Sequence, residues 1–319
     1  MSAYGIDEDK PPRLQFEELP FGAPSIIVST QIGFPLFSIV AHLFLFALLT
    51  RQVFSSGTTS EPKCITHTHG GMVIASKLSG LIEIDCRPAE RQLTITTLNW
   101  IMWYHQMNSL ISGGVAVLLS GGPLYPDPLH LPKIIGADGL NLTHFVCSPR
   151  WLSEVEKAAN AAKINPRESF KLHNLKYVFT TGAPLSIANA SFLYDRFLPR
   201  EAQLGNNSGG TDMGGVLIGS MPNVKVYGNS LGAKILGSDI RILDQHTGED
   251  IEHTGEPGEL AVVAPFPNQP LKFWGPKGQE KALLDKYYES YYLRWDSGPG
   301  KGVWVQGDFV YRTKEGAYA

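Results

Sequence analysis

The sequence predicts an α/β fold in which a helix-covered, mainly parallel sheet is followed by a small β-rich subdomain. Two observations carry this prediction. From about residue 70 to residue 197, short apolar runs typical of buried strands alternate with longer segments of helical spacing, which is the order of a parallel sheet. After about residue 224, short strands separated by Gly- and Pro-rich turns replace that alternation. With 319 residues and 43% apolar content, the chain can bury such a core.

The elements follow from the spacing of apolar residues along the chain. Pro24–Val28 opens as a buried strand after a polar, acidic start. The later predicted strands are 93–97, 144–147, 177–180, 239–243 and 259–263, and the predicted helices are 70–82, 100–119, 151–162, 187–197 and 281–292.

One apolar segment interrupts this order. Residues 32–49 contain eighteen residues without a formal charge, which makes them a marginal candidate for a membrane span. If residues 29–53 are removed, the flanking sequences join as one strand. We therefore interpret 29–53 as an insertion, with translated intervening sequence retained in the gene as the hypothesis and a membrane anchor as the alternative. The predicted division is 1–28, 29–53, 54–224 for the α/β core and 225–319 for the β-rich subdomain.

Composition narrows the function classes. The formal charge of -3 without a basic stripe argues against nucleic-acid binding. Three widely spaced cysteines argue against a disulfide framework and for a reducing compartment. The first ten residues carry acids, unlike a signal peptide. A cytoplasmic protein is expected, with membrane association only if 32–49 is a genuine anchor.

A hydroxyl-rich stretch follows the apolar segment. Residues 54–63 hold five hydroxyl side chains, one glycine and a terminal lysine. Small residues let backbone N–H groups converge on an anion, and a lysine adds positive charge, so the stretch suits phosphate binding. The alternative is a plain turn. The candidate phosphate-binding residues are Ser55, Ser56, Gly57, Thr58, Thr59 and Lys63.

Three later loops complete a candidate nucleotide site. Gly182, Ala183 and Pro184 form a turn that could lie flat against a base. Thr211 offers a hydroxyl and Asp212 a carboxylate of the kind that Mg²⁺ takes. Asp308, expected on a tight turn after an aromatic strand, could accept hydrogen bonds from ribose. Ordinary surface turns are the alternative. A metal site at Cys64, His67 and His69 is disfavoured because no second ligand pair has zinc-like spacing.

The order and spacing of these motifs resemble the adenylate-forming superfamily, and their versions are similar to those of acetoacetyl-CoA synthetases. The motifs are FEELPF, FSSGTTSEPKC, TTLNWIMW, TTGAPLS, SGGTD and GVWVQGDF. The resemblance implies an acid–thiol ligase that uses ATP, Mg²⁺ and coenzyme A, with acetoacetate as the acid. Another short-chain acyl-CoA synthetase and a non-catalytic nucleotide-binding remnant are the alternatives.

The resemblance also implies a role for each site residue. Ser55 to Thr59 and Lys63 would embrace the β- and γ-phosphates, Gly182 to Pro184 would line adenine, Thr211 would contact the α-phosphate, Asp212 would hold Mg²⁺ and Asp308 would bind ribose. An acyl pocket would include Trp100, Ile101, Met102 and Thr181, and Gly209 would leave room where acetyl-CoA synthetases carry a tryptophan.

The chain departs from the family pattern in two ways. Ser60 and Asn99 stand where the family usually has glycine. The family also has a longer N-terminal portion and a C-terminal lid domain that supplies a lysine, and neither is expected within these 319 residues. The resemblance therefore implies a partial large domain that binds nucleotide weakly and does not turn over.

Overall fold

The computed structural model of the protein describes residues 16–18, 26–29, 49–55, 63–98 and 100–319. Its strands are β1 (Phe16–Glu18), β2 (Ile26–Ser29), β3 (Leu49–Ser55), β4 (Lys63–Thr68), β5 (Arg91–Thr94), β6 (Val115–Leu119), β7 (His144–Cys147), β8 (Tyr177–Thr180), β9 (Gln203–Asn206), β10 (Ser208–Gly210), β11 (Gly215–Gly219), β12 (Ala233–Lys234), β13 (Ile240–Leu243), β14 (Gly258–Val262), β15 (Lys272–Phe273) and β16 (Trp304–Val310). Its α-helices are α1 (His69–Leu78), α2 (Met102–Ile111), α3 (His130–Ile135), α4 (Pro149–Ala162), α5 (Pro166–Ser169), α6 (Ile187–Phe192) and α7 (Glu280–Tyr291). The π-helical turns Ser79–Glu83 and Leu193–Phe197 continue α1 and α6.

The large sheet confirms the predicted α/β architecture. Its strand order is β1-β2-β6-β5-β7-β8-β9, and the five strands from β6 to β9 run parallel. The strands β1 and β2 add an antiparallel edge. In β7 and β8 every residue is buried, as expected for strands covered on both faces.

Helix α4 shows how the sequence covers this sheet. The Ser148 hydroxyl accepts a hydrogen bond from the Trp151 N–H, and Pro149 occupies the first turn, so both residues favour a helix start here. The helix ends at Lys163, which adopts a left-handed conformation. Trp151 packs edge-on against Phe145 of β7 at 5.1 Å between ring centroids. The buried face of α4 thereby joins the main hydrophobic core.

The second half of the described chain is rich in short antiparallel strands, as predicted. Three small sheets have the orders β10-β11-β12, β13-β14-β16 and β15-β4-β3. The last of these crosses the predicted boundary at residue 225, because Phe273 pairs with Ile65. A second core likewise joins Ile65 and Leu217 to residues after 225.

Helical spacing does not continue from residue 100 to residue 119, so that prediction is wrong at its C-terminal end. Helix α2 ends at Ile111, and Gly113 adopts a positive φ of 82°. A Cβ at Gly114 would lie 2.9 Å from the Glu90 carbonyl oxygen, so this close turn requires glycine. The run from Val115 to Leu119 is a strand that is buried over its first three residues and runs parallel to β5. A short apolar run fits both periods, and β-branched valine favours strands.

The flanks of the apolar segment belong to two different sheets. Strand β2 pairs with β6 in the large sheet, whereas β3 pairs with β4 in a small one. Residues 49–53 of the proposed insertion form most of β3, and residues 30–48 lie outside the described residues. Within the described ranges, no helix combines the length and the apolarity that crossing a bilayer requires.

Candidate functional site

The hydroxyl-rich stretch connects the two strands of a hairpin. Ser55, the last residue of β3, is the register partner of Lys63, the first residue of β4. Seven residues join these two positions, and among them Ser56, Gly57, Thr58 and Thr59 lie outside the described residues. Because Ser55 and Lys63 are register partners, they lie opposite one another where the connection begins and ends.

Lys63 lies over aromatic rings. Its Nζ is 4.9 Å from the ring centroid of Tyr291 and 5.7 Å from that of Phe273, within the range of cation–π attraction. The Tyr291 ring is in turn stacked on Trp304 with centroids 5.6 Å apart. An ammonium group is therefore held next to the hydroxyl-rich connection without an ion pair among the described residues.

Asp212 shares Tyr291 with Lys63. The Tyr291 hydroxyl donates a hydrogen bond to Oδ1 of Asp212. Burial raises the pKa of Tyr291 well above its usual range, and the negative charge of Asp212 raises it further, so the phenol remains a donor. Among the described residues no donor contacts Oδ2 of the partly buried Asp212, and a carboxylate oxygen is of the hard type that Mg²⁺ takes.

A cavity of about 340 Å³ lies between the α1–α2 layer and the loops after β8 and β9. It is lined by seven of the predicted site residues, namely Trp100, Ile101, Met102, Thr181, Gly182, Gly209 and Thr211. The five residues predicted for an acyl pocket are all among them. The structure thus brings together residues that lie up to 111 positions apart between Trp100 and Thr211.

The loop after β8 is held against the cavity by close packing. Gly182 has a φ of 86°, and a Cβ there would lie 3.2 Å from the Trp100 ring. The Thr181 hydroxyl donates a hydrogen bond to the Asn207 carbonyl oxygen at 3.0 Å, which ties this loop to the one after β9. Ala183 and Pro184 are exposed and do not line the cavity.

Gly209 is required by strand packing. A Cβ built on it would lie 2.1 Å from the Gly215 carbonyl oxygen and 2.8 Å from the Val216 Cα, both on the neighbouring strand β11. A side chain at this position would point at backbone and not into the cavity. The absence of a side chain at Gly209 therefore has a structural cause besides the room expected from the sequence.

Asp308 lies within β16 and not on a turn after it, which corrects the prediction. Gly307 has a φ of 91° and causes an irregularity in the strand, so the motif resembles a turn in sequence. Gln306 donates a hydrogen bond through Nε2 to Asp308 Oδ2. Its Oε1 would lie 2.8 Å from a Cβ at Gly210, which lines the cavity. Asp308 itself is exposed and lines neither this cavity nor the more open one beside it.

A second, more open cavity of about 440 Å³ adjoins this region. Tyr291, Gln306 and Gly307 line it, and Tyr291 also holds Asp212. Tyr291 was not identified from the sequence, because a tyrosine in a helix that contains several tyrosines has the pattern of a residue that packs in the core. Its partner Asp212 lies 79 positions away.

Three buried polar side chains on the inner side of the first cavity were also missed. Glu83 is 3% exposed, and His105 and Asn108 are each 8% exposed. Each carries one buried polar atom without a hydrogen-bond partner among the described residues, namely Glu83 Oε2, His105 Nε2 and Asn108 Oδ1. The available signal was a glutamate inside the apolar run LIEI and two polar residues one helical turn apart.

The buried carboxyl of Glu83 is expected to make the stability of the protein depend on pH. Burial raises its pKa from 4.5 to about 7, against a hydrogen bond with Ser79 that lowers it. Between these values the unfolded chain loses the proton that the folded protein keeps, so this carboxyl contributes a fall in the free energy of unfolding as pH rises through the window. Glu83→Gln should remove this contribution and leave those of the other titrating groups, so the difference in free energy of unfolding between the two proteins should change by roughly 3 kcal/mol for a shift of this size.

Chemical denaturation of both proteins at pH 4.5 and above pH 7 measures this effect. Exposed Glu315 provides the matched control, because Glu315→Gln changes the same functional group at the surface. Equal pH dependence of the wild type and Glu83→Gln would contradict the assignment.

Cys86, Glu90 and His144 form a buried group whose ligand atoms lie within 4.8 Å of one another. Glu90 forms an ion pair with Lys176 and accepts a hydrogen bond from the Arg87 N–H at 2.8 Å. The His144 Nδ1 contacts the Thr143 hydroxyl at 2.9 Å. Glu90 and His144 therefore have ion-pair or hydrogen-bond partners within the protein.

The sequence was compared with protein families and with known proteins. The AMP-binding enzyme family matches residues 52–266. The chain is 30% identical to the acetoacetyl-CoA synthetase of Mus musculus over 298 residues, which covers 93% of this chain and 38% of that protein. It is 31% identical to a malonamoyl-CoA synthetase of Penicillium aethiopicum, covering 81% of this chain and 34% of that protein.

The solved structure of an acetoacetyl-CoA synthetase from Streptomyces lividans superposes with a TM-score of 0.72 at 28% identity. The match covers 84% of this chain and 39% of that one, so the chain spans about two fifths of the length of these relatives. The matched region, residues 52–266, contains the hairpin of Ser55 and Lys63 and every residue predicted for the first cavity. Because the family matches more than two thirds of its length, the chain belongs to the AMP-binding enzyme family.

Proposed function

We propose that this protein is an ATP-dependent acid–thiol ligase that activates acetoacetate. The single observation that carries the proposal is the shared cavity, in which Thr211 and Gly182 of the predicted nucleotide site lie beside Trp100, Ile101 and Met102 of the predicted acyl pocket. A nucleotide α-phosphate and the carboxylate of a short acid have to meet at one place for such a reaction.

The proposed reaction has two stages. An oxygen of the carboxylate attacks the α-phosphorus of ATP and pyrophosphate leaves, which gives an acyl-adenylate. The thiol sulfur of coenzyme A then attacks the acyl carbon, the thiol proton is lost and AMP leaves. Because two anions must approach each other in the first stage, groups that neutralise negative charge stabilise its transition state.

The described residues supply such groups. Lys63 is a cation next to the hydroxyl-rich connection, and the Thr211 hydroxyl lines the cavity where the α-phosphate would lie. Asp212 would hold Mg²⁺, whose charge would offset that of the phosphates. In this proposal Gly182 borders the adenine, and Asp308 binds the ribose with Gln306 fixing its carboxylate.

The remaining assignments come from the family resemblance. Ser55 with Ser56, Gly57, Thr58 and Thr59 would bind the β- and γ-phosphates, and Ala183 and Pro184 would border adenine. Coenzyme A is the proposed thiol substrate. The relatives named as acetoacetyl-CoA synthetases support acetoacetate as the acid, and another short-chain acid is the alternative.

Exchange of labelled pyrophosphate into ATP tests the proposal. If the ligase is active, acetoacetate supports exchange in the purified protein, which would overturn the expectation from the family pattern that the chain does not turn over, and omission of the acid or of Mg²⁺ abolishes it. Binding of ATP without exchange, measured by calorimetry, would instead support a non-catalytic nucleotide-binding protein. Exchange with a different short acid, and none with acetoacetate, would support the alternative ligase.

A further inference from the structure

Three side chains that can bind a metal lie together away from the first cavity. Cys86 and Glu90 belong to the loop before β5, and His144 is the first residue of β7. All three are buried, and their sulfur, carboxylate and ring-nitrogen atoms lie within 4.8 Å of one another. Because β5 and β7 are parallel and Gln92 is opposite His144, the group lies at the amino-terminal edge of the large sheet. The loops that line the cavity follow the carboxyl ends of strands, at the opposite edge.

The hydrogen bonds of His144 leave one ring nitrogen suited to a metal. Its Nε2 lies 2.8 Å from the Ile84 carbonyl oxygen, which can only accept, so Nε2 carries the proton of the neutral ring. Nδ1 therefore has a lone pair, and it lies 3.9 Å from Glu90 Oε2. Histidines that bind metals commonly donate their other N–H to a carbonyl oxygen or a carboxylate, which fixes the ring.

The Thr143 hydroxyl, which lies 2.9 Å from Nδ1 of His144, has another acceptor for its proton. The Arg91 carbonyl oxygen is 3.0 Å from this hydroxyl, and the Arg91 N–H donates to the hydroxyl at the same distance. A hydroxyl has one proton to donate. When that proton goes to Arg91, the lone pair of His144 Nδ1 is available to a metal.

The loop that carries Cys86 and Glu90 has an unusual backbone. Asp85 has a φ of 48° and Ala89 a φ of 69°, conformations that a Cβ disfavours. Each of these residues directly precedes one member of the group. The free thiol of Cys86 is also closely packed, because a Cβ on Gly114 would lie 3.1 Å from its sulfur. The loop is therefore shaped so that a thiol and a carboxylate both lie next to His144.

Lys176 is the cation that pairs with this group. It forms an ion pair with Glu90 Oε1, and its side chain is 63% exposed, whereas that of Glu90 is 10% exposed. A long, exposed lysine can turn into water, but the buried carboxylate cannot. The hydrogen bond from the Arg87 N–H to Oε2 can remain, because a carboxylate oxygen has more than one lone pair.

We propose that Cys86, Glu90 and His144 Nδ1 bind a divalent transition-metal ion of the Zn²⁺ type, with water as the fourth ligand. Thiolate, imidazole and carboxylate are the three side-chain ligands of Zn²⁺ in proteins. Zn²⁺ bonds of about 2.0 to 2.3 Å place tetrahedral ligand atoms roughly 3.5 Å apart. The 3.9 Å between His144 Nδ1 and Glu90 Oε2 is close to that separation.

Binding exchanges one cation for another. The Cys86 thiol releases its proton to solvent, the metal forms a bond to the thiolate, and the ammonium group of Lys176 moves into water. Open α/β sheets bind their substrates at the carboxyl ends of the strands. A metal at the amino-terminal edge instead ties the loop before β5 to β7 and stabilises the fold, and it does not depend on the proposed ligase function.

Metal titration of the metal-stripped protein tests this site. Calorimetry should show one Zn²⁺ per chain, and Co²⁺ should give a thiolate-to-cobalt charge-transfer absorption band. Cys86→Ser should abolish the band and weaken Zn²⁺ binding more than about 100-fold, since changes outside the ligand shell already cost 10- to 100-fold. Lys176→Gln should strengthen Zn²⁺ binding by up to about fivefold, the size of a partly exposed ion pair.

Cys64→Ser is the matched control, because it makes the same change at a thiol on β4. It should leave the Zn²⁺ affinity within about twofold. Loss of binding in Cys64→Ser and not in Cys86→Ser would assign the metal to β4 and overturn the proposal.

Thermal unfolding provides a second measurement. Zn²⁺ should raise the unfolding midpoint of the wild type and not that of Cys86→Ser, because a ligand of the folded state stabilises it. Unfolding of the metal-free variants shows whether they are folded, and Glu90→Gln tests the same site where serine is not tolerated at position 86. Wild type that binds no Zn²⁺, or that prefers Mg²⁺ to Zn²⁺, would overturn the proposal.

Discussion

Replacing Asp212 with asparagine is expected to lower acid-dependent pyrophosphate exchange by about 100-fold or more, the size seen when a transition-state charge contact is removed. Asparagine has the same shape and can still accept the hydrogen bond of the Tyr291 hydroxyl. It lacks the negative charge that would hold Mg²⁺. The loss should therefore be one of chemistry and not of folding. The measurement is kcat and the dependence on Mg²⁺ concentration.

Tyr291→Phe provides the matched control. It removes the hydrogen bond to Asp212 but leaves the carboxylate and the stacking on Trp304. We expect a fall of about tenfold or less, since only the orientation of the carboxylate is lost. If Asp212→Asn retained a third of the activity, or if Tyr291→Phe lost more than Asp212→Asn, Asp212 would not be the metal-binding residue.

Gly209→Ala is expected to destabilise the protein by about 3 kcal/mol, the upper part of the range for overpacked positions. The new Cβ would meet the Gly215 carbonyl oxygen and the Val216 Cα, and these are backbone atoms that cannot rotate away. Strands β10 and β11 would have to separate, and both border the first cavity. The measurement is the free energy of unfolding in denaturant together with the midpoint of thermal unfolding.

Gly122→Ala is the control for this substitution. The nearest atom to a Cβ at Gly122 is the Tyr125 Cβ at 3.8 Å, an ordinary contact. The same chemical change there should alter stability by less than about 0.5 kcal/mol. Equal effects at the two positions would show that strand packing does not require glycine at 209.

Much of the sheet could be predicted from the sequence, because fully buried strands have a simple apolar signature. The strands at 144–147 and 177–180 have the predicted bounds. The strand at 115–119 was missed because its apolar run follows a helix directly and fits the helical period. Pairing of β4 with β15 could not be predicted, since Lys272 pairs with Thr66 206 positions away and such a distance leaves no local signal.

The site was predictable in part for the same reason. Strand ends carry small and hydroxyl residues that stand out, so Thr181, Gly182, Gly209 and Thr211 were identified and lie around one cavity. Residues on helices were harder to find. Tyr291 has the sequence pattern of an ordinary packing residue, and only its hydrogen bond to Asp212, 79 positions away, indicates that it belongs to the site.

Because Lys272 and Phe273 supply the third strand beside β4, the platform under the Ser55–Lys63 hairpin is assembled from both ends of the described chain. Cleavage near residue 225 would therefore leave an N-terminal fragment that does not fold fully by itself. Its hairpin would lose the neighbouring strand β15, and the rings of Phe273 and Tyr291 that contact Lys63 would belong to the C-terminal fragment. Both pieces would have to associate again before Lys63 and Asp212 could share Tyr291.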